Sequence, residues 1–180
     1  MRILLTGGAG SGKSEFAESL ALAQARPLSY IAAMKPYGEE SERRIARHRG
    51  LRAGKGFATI ERYADMDSLI LPTGGTALLE CLCNLTANEM FDDAGAERDA
   101  GHNNDAVFEK IVRGQDALAA QCSCLIQVTN EVGRDAASYG DGTLRYIQLL
   151  GRINRALAAR ADAVYELVCG IPIQLKGTVV

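Results

Sequence analysis

The sequence has no tryptophan, two histidines, four prolines and almost no net charge. Each scarcity excludes something. With 20 Lys+Arg against 22 Asp+Glu the formal charge is −2, which excludes a protein that grips nucleic acid through a broadly basic surface; a phosphate ligand must be met by local charge. No apolar run approaches the roughly twenty residues that span a bilayer. The opening MRILLTGG is too short for an export signal, so no membrane span and a cytoplasmic location are expected. The five cysteines, Cys81, Cys83, Cys122, Cys124 and Cys169, are odd in number, which argues for free thiols over a disulfide framework. No repeat, low-complexity tract or Pro- or Ser-rich linker divides the chain. Its 180 residues, 47% hydrophobic, are expected to form one domain over residues 1–180.

What is present is an alternation. Short apolar, β-branched segments at residues 2–6, 28–33, 76–81, 125–129 and 163–168 are separated by stretches of helical period at 13–25, 39–53, 83–91, 105–121 and 143–161. Parallel strands need crossover connections that cover both sheet faces, so the pattern predicts an α/β fold: a three-layer architecture with a mostly parallel sheet. In the last helix Leu144, Ile147, Leu150, Asn154, Leu157 and Ala161 mark the inward stripe, with Arg145, Arg152, Arg155 and Arg160 on the wetted side. Residues 171–176 alternate apolar and polar after a Gly170/Pro172 turn and predict a C-terminal antiparallel edge strand. Residues 92–104, DDAGAERDAGHNN, read as an exposed loop, with His102 as a surface residue inside it.

Directly after the first strand comes Gly7-Gly8-Ala9-Gly10-Ser11-Gly12-Lys13-Ser14, a G-x-x-x-x-G-K-[ST] motif opening a helix. The glycines let successive N–H groups and the helix N-terminus converge on an anion. Lys13 can reach the β- and γ-phosphates, and Ser14 would hold Mg2+. Nucleotide binding follows; the reaction does not, since kinases, motors, switches and transporters share this loop. Glu80, at the carboxyl end of a strand, could coordinate the magnesium ion, accept hydrogen bonds from a guanine, or merely cap the next helix.

The stretch EESERRIARHRGLRAGK places acids before bases along a helix, an order that suits the helix dipole whatever the function. It also sets His48 on one side with Arg44 at i−4 and Arg52 at i+4. An imidazole among phosphate-binding guanidinium groups suits a nucleophile attacking phosphorus. Asn130 and Glu131 follow a strand end and point toward the ligand edge. The pairs Cys81/Cys83 and Cys122/Cys124 raise a zinc site, but their one-residue spacing is too tight for the usual structural zinc ligand pairs.

The ordered set LLTGGAGSGKS, YIAAM (30–34), RIARH (44–48), ATIE (58–61), LLEC (78–81), VTNEVG (128–133) and GRIN (151–154), followed by the GIP turn at Gly170, resembles the bifunctional adenosylcobinamide kinase / adenosylcobinamide-phosphate guanylyltransferases of cobalamin biosynthesis. The resemblance spans nearly the whole chain and implies a P-loop NTPase-like fold. It also implies two reactions: phosphorylation of adenosylcobinamide's aminopropanol hydroxyl with ATP or GTP, then GMP transfer from GTP through a covalent GMP–histidine to give adenosylcobinamide-GDP. His48 would be that nucleophile, with Lys13 also catalytic. The implied nucleotide contacts are the loop from Gly7 to Ser14, Ala32, Ala33, Met34, Arg49, Gly50, Leu51, Arg52, Glu61 and Glu80. A homotrimer is implied by the family alone. Gly10 stands where many members carry arginine, and Phe57 about where they carry tryptophan. The competing readings are a P-loop small-molecule kinase without guanylyl transfer and a nucleotide-binding regulatory switch.

Overall fold

The computed structural model describes residues 1–91, 104–133 and 138–177, without the side chains of Arg44 and Leu51. Seven strands form one sheet: β1 (Arg2–Gly7), β2 (Leu28–Ala32), β3 (Phe57–Glu61), β4 (Thr76–Glu80), β5 (Cys124–Val128), β6 (Ala163–Val168) and β7 (Ile171–Lys176). Their order is β3-β2-β4-β5-β1-β6-β7. All neighbours are parallel except β6 and β7, which pair antiparallel at one edge. The helices are α1 (Lys13–Leu22), α2 (Gly38–Arg52), α3 (Leu82–Met90), α4 (Asn104–Gln121) and α5 (Asp141–Arg160), with a single 3-10 turn at Met66–Ser68.

Strand periodicity sorts the core into two layers. Leu4, Ile31, Ala77, Leu79, Leu125 and Val164 face the side where Leu82, Leu85, Ile111, Leu118, Ile153 and Leu157 of α3, α4 and α5 pack. Ile3, Leu5, Tyr30, Leu78, Ile126, Tyr165 and Leu167 face the other side, under Ala17 and Ala21 of α1. Each fully buried aliphatic side chain contributes about 1.5–3 kcal/mol, so two covered faces explain why the central strands read as continuous apolar runs.

The predicted class, the mostly parallel sheet and the antiparallel edge strand are observed. Three details differ. The apolar pattern does not predict β3, because FATIE is short and largely exposed at the sheet edge. α1 ends at Leu22 rather than near residue 25, giving way to a turn before Pro27. The inward stripe of α5 is Leu149, Leu150, Ile153 and Leu157, with Leu144 exposed, because the first turns of the helix carry no buried residue. Residues 92–103, with His102, lie outside the described residues; Asn104 opens α4.

The register fixes where chemistry can gather. Glu61 lies beside Ala32, Ala32 beside Glu80 and Glu80 beside Val128. One row therefore crosses the carboxyl end of four parallel strands, and the loop after β1 emerges next to it.

Candidate functional site

The glycine motif leaves β1 through Gly7, whose φ of +137° suits glycine; a Cβ there would sit 2.5 Å from the Leu167 carbonyl oxygen. Gly12, at φ +92°, brings the loop against Gly170, and the Gly170 N–H donates to the Ser11 carbonyl at 3.0 Å. The β6–β7 turn thus braces the loop from outside. Lys13, 7% exposed, folds back: its Nζ donates to the carbonyls of Gly7 (2.9 Å) and Gly8 (2.5 Å) and to Ser11 Oγ (3.3 Å). Burial lowers its pKa, partly opposed by Cys83, Cys81 and Glu80 nearby.

Glu80 does not cap α3; the N-cap position belongs to Cys81. Its carboxylate instead accepts the Ser14 hydroxyl on one oxygen and the Tyr30 hydroxyl, at 2.9 Å, on the other. Burial first, and then the Glu80 charge, push the Tyr30 phenol well above its ordinary value. The Arg52 guanidinium lies 3.5 Å over the Tyr30 ring. Arg52 is the one residue of α2 buried among those whose burial is described, and its Nε and one terminal nitrogen have no hydrogen-bond partner among the described residues. The ring's negative face meets part of that charge.

His48 is half-buried on α2. Beside it Arg49 pairs with Glu61, which also accepts the Tyr63 hydroxyl at 3.0 Å. Those two donors, Tyr63 first, hold the Glu61 carboxyl below its ordinary value.

A cleft of about 760 Å³ joins these groups. Of the residues expected at a nucleotide site, Ala9, Gly10, Ser11, Gly12, Lys13, Ser14, Ala32, Met34, His48, Arg49, Arg52, Glu61 and Glu80 line it. Gly7 and Gly8 act through the carbonyls that hold Lys13, while Ala33 is buried behind the wall and Gly50 is exposed outside it. The side chains of Leu51 and Arg44 are outside the described set. Asn130 also lines the cleft. Tyr30, Tyr63, Cys83 and Asn84 line it too and were missed as site residues. Tyr30 was within reach of reasoning, since it sits two residues before Ala32 and so on the same face of β2.

Cys81 and Cys83 line the cleft floor. The Cys83 sulfur accepts the Asn130 N–H at 3.2 Å and lies 3.8 Å from the Thr129 hydroxyl. Its pKa is pulled down to about 6, chiefly by the hydrogen bond from the Cys81 thiol, against burial; that thiol is pushed well up. The other pair is remote: Cys124 opens β5 opposite Thr76, at the far end of β4 from Glu80. The two pairs cannot close one tetrahedral site.

The donor set at Ser14 and Glu80, one hydroxyl and one carboxylate in contact, is the hard oxygen type that magnesium takes. A metal there would neutralise phosphate charge. Among the described residues no helix is long and apolar enough to cross a membrane.

A braced glycine loop after the first strand, a buried lysine at its end and a carboxylate at the tip of β4, two strands away, define a P-loop nucleotide-binding protein. The fold agrees with that class: an ATPase from the type III secretion system of pathogenic bacteria superposes with a TM-score of 0.50 at 12% identity, over 92% of this chain and 50% of that one. The family described as cobinamide kinase / cobinamide phosphate guanyltransferase matches residues 3–175. The bifunctional adenosylcobalamin biosynthesis protein CobU of Escherichia coli (strain K12) is 33% identical over 184 residues, 98% of this chain and 100% of that protein. CobU of Salmonella typhimurium is 34% identical over the same coverage. The corresponding CobP of Pseudomonas aeruginosa is 32% identical over 180 residues, 98% of each chain. The chain belongs to the cobinamide kinase / cobinamide phosphate guanyltransferase family and is a transferase.

Proposed function

We propose that this chain phosphorylates the aminopropanol hydroxyl of adenosylcobinamide with ATP or GTP, and then converts that phosphate to adenosylcobinamide-GDP through a GMP–His48 intermediate. The observation that carries the reading is that His48, Arg49 and Arg52 line the same cleft as Gly10, Gly12, Lys13 and Ser14. A triphosphate seated on the loop shares one chamber with an imidazole.

In the first step the substrate hydroxyl oxygen attacks the γ-phosphorus and the nucleoside diphosphate leaves. Lys13 would turn from the loop carbonyls to the phosphates, and Ser14 with Glu80 would hold Mg2+. In the second step an imidazole nitrogen of His48 attacks the α-phosphorus of GTP and pyrophosphate leaves. A phosphate oxygen of cobinamide phosphate then attacks that phosphorus and the ring nitrogen departs. Arg52, buried and with N–H groups unpaired among the described residues, supplies charge for the transferring phosphate. An assembly of three copies belongs to the same reading.

The test uses GTP labelled at the α-phosphate. Protein-bound label that is acid-labile and base-stable, with an intact mass higher by one GMP, is expected in the parent chain and absent in His48→Asn. Release of GDP and phosphate with no adduct would indicate a switch or a simple kinase and refute the two-stage scheme.

A further inference from the structure

Two charged groups of the cleft, Glu80 and Arg52, meet on one side chain that the proposed reactions leave without a role. Tyr30 stands opposite Leu78 in the parallel ladder of β2 and β4, and Glu80 follows two residues later on the same face of β4. That diagonal is within reach of an aromatic side chain. The Tyr30 hydroxyl donates to one Glu80 oxygen at 2.9 Å, while the Ser14 hydroxyl donates to the other. The same ring carries the Arg52 guanidinium 3.5 Å above its centroid, and it packs edge-on against Phe57 with centroids 6.2 Å apart. Among the described residues the Arg52 Nε and one terminal nitrogen find no acceptor, so the ring face is what fixes the plane of that group. Tyr30 is 3% exposed and lines the cleft.

We propose that Tyr30 is a positioning residue for both ends of the cleft: its hydroxyl holds the Glu80 carboxylate toward Ser14, and its ring seats the Arg52 guanidinium, so that both groups are oriented before a nucleotide enters. A carboxylate held through one oxygen alone can turn about its last torsion, which has a broad and roughly two-fold profile. The second hydrogen bond removes that freedom. A long arginine side chain samples many rotamers when nothing holds it, and seating it in advance lowers the ordering entropy lost when a phosphate binds. The two contributions are separable, because the hydroxyl serves the Ser14–Glu80 pair and the ring face serves Arg52. The proposal rests on the cleft being the nucleotide site, as proposed above.

The experiment measures GTP binding by calorimetry in the full-length parent, Tyr30→Phe and Tyr30→Met, each in EDTA and in magnesium. The ratio of the two Kd values reports how well Ser14 and Glu80 take the metal, and the EDTA value reports the phosphate-binding groups alone. Tyr30→Phe keeps the ring and removes the hydroxyl. Its magnesium ratio should fall about tenfold, the scale of one hydrogen bond to a charged group, while the EDTA value moves less than about twofold. Tyr30→Met fills the space with a flexible chain and removes the ring as well. Its EDTA Kd should weaken by about a further fivefold, the scale of a cation–π contact. Tyr165→Phe makes the same deletion on a buried ring outside the cleft, packed against Phe16; it should leave both values as in the parent, which separates positioning from a general loss of stability. A Tyr30→Phe ratio equal to the parent's, or a folded Tyr30→Met that binds GTP in EDTA as tightly as Tyr30→Phe, would overturn the proposal. If Tyr30→Met shows no cooperative unfolding transition, the Tyr30→Phe ratio alone decides. A parent chain that binds no GTP would refute the nucleotide reading and this proposal together, whereas a parent that binds it beside an unaffected Tyr30→Phe refutes this proposal only.

Discussion

Replacing Lys13 by methionine separates what this side chain does for the fold from what it does for a ligand. In the folded protein the ammonium group is buried, and its three hydrogen bonds go to Gly7, Gly8 and Ser11 of its own loop. Burial of the charge, the dominant cause of its lowered pKa, costs stability that those bonds offset. Methionine removes both and keeps the volume, and water in the open cleft can serve the released acceptors. The net change should be within about 1 kcal/mol, or about 2–4 °C in Tm for a chain of this length. Binding should behave otherwise. Two charge-assisted hydrogen bonds to phosphate oxygens, at the low end of about 1.5 kcal/mol each, give about 3 kcal/mol, roughly 150-fold in Kd for GTP.

The pH dependence has a defined sign. Because the folded-state pKa lies below the ordinary 10.5, the unfolded chain binds more protons between the two values. The lysine's penalty is then present at lower pH and fades as pH rises through that window. The parent should gain stability relative to Lys13→Met on approach to pH 10.5. Calorimetric titration with GTP and magnesium, alongside thermal unfolding at several pH values, measures both quantities. A Kd changed less than about tenfold, or a Tm lowered by more than about 8 °C, would refute the reasoning.

Three further outcomes are expected. His48→Asn should abolish the α-labelled adduct while leaving phosphoryl transfer to cobinamide measurable; a proportionate loss of both activities would assign the ring a structural role. Gly75→Ala places a Cβ 2.1 Å from the Pro27 carbonyl oxygen and 2.9 Å from the Pro27 nitrogen. It should cost about 3 kcal/mol and lower Tm by about 6–12 °C. Asn154→Ala removes the acceptor of the buried Thr129 hydroxyl, at 2.8 Å, and a donor to the Asn130 carbonyl, at 3.3 Å. A loss of about 2 kcal/mol by urea unfolding is expected, about half of it restored in Asn154→Asp, which keeps the acceptor.

The sheet's interior was legible because strands buried on both faces write themselves as apolar runs: ILL in β1, ALL in β4 and LIQV in β5 leave little choice. β3 was not, because an edge strand with exposed residues carries no such run. In α5 the expected stripe holds at Leu150, Leu157 and Ala161 and fails at Leu144, since the sequence does not say how far a helix overhangs the layer beneath it. At the site the glycine loop announced itself through spacing alone. Glu80's partners did not: Ser14 is 66 residues away and Tyr30 is 50 residues away, and only the parallel register brings the tips of β2 and β4 together. Tyr30 beneath Arg52 is of the same kind, a contact between a strand residue and the last residue of a helix.

The hydrogen bond from Gly170 to Ser11 links the chain's eleventh residue to one near its end. A phosphate loop is often pictured as a self-contained motif that curls as soon as it is made. Here its outer wall is supplied by the last hairpin, so during synthesis the anion nest stays half-built until residue 170 has left the ribosome and β6 has docked beside β1. A ribosome-stalled fragment ending before that turn would carry the whole motif yet lack the brace behind it.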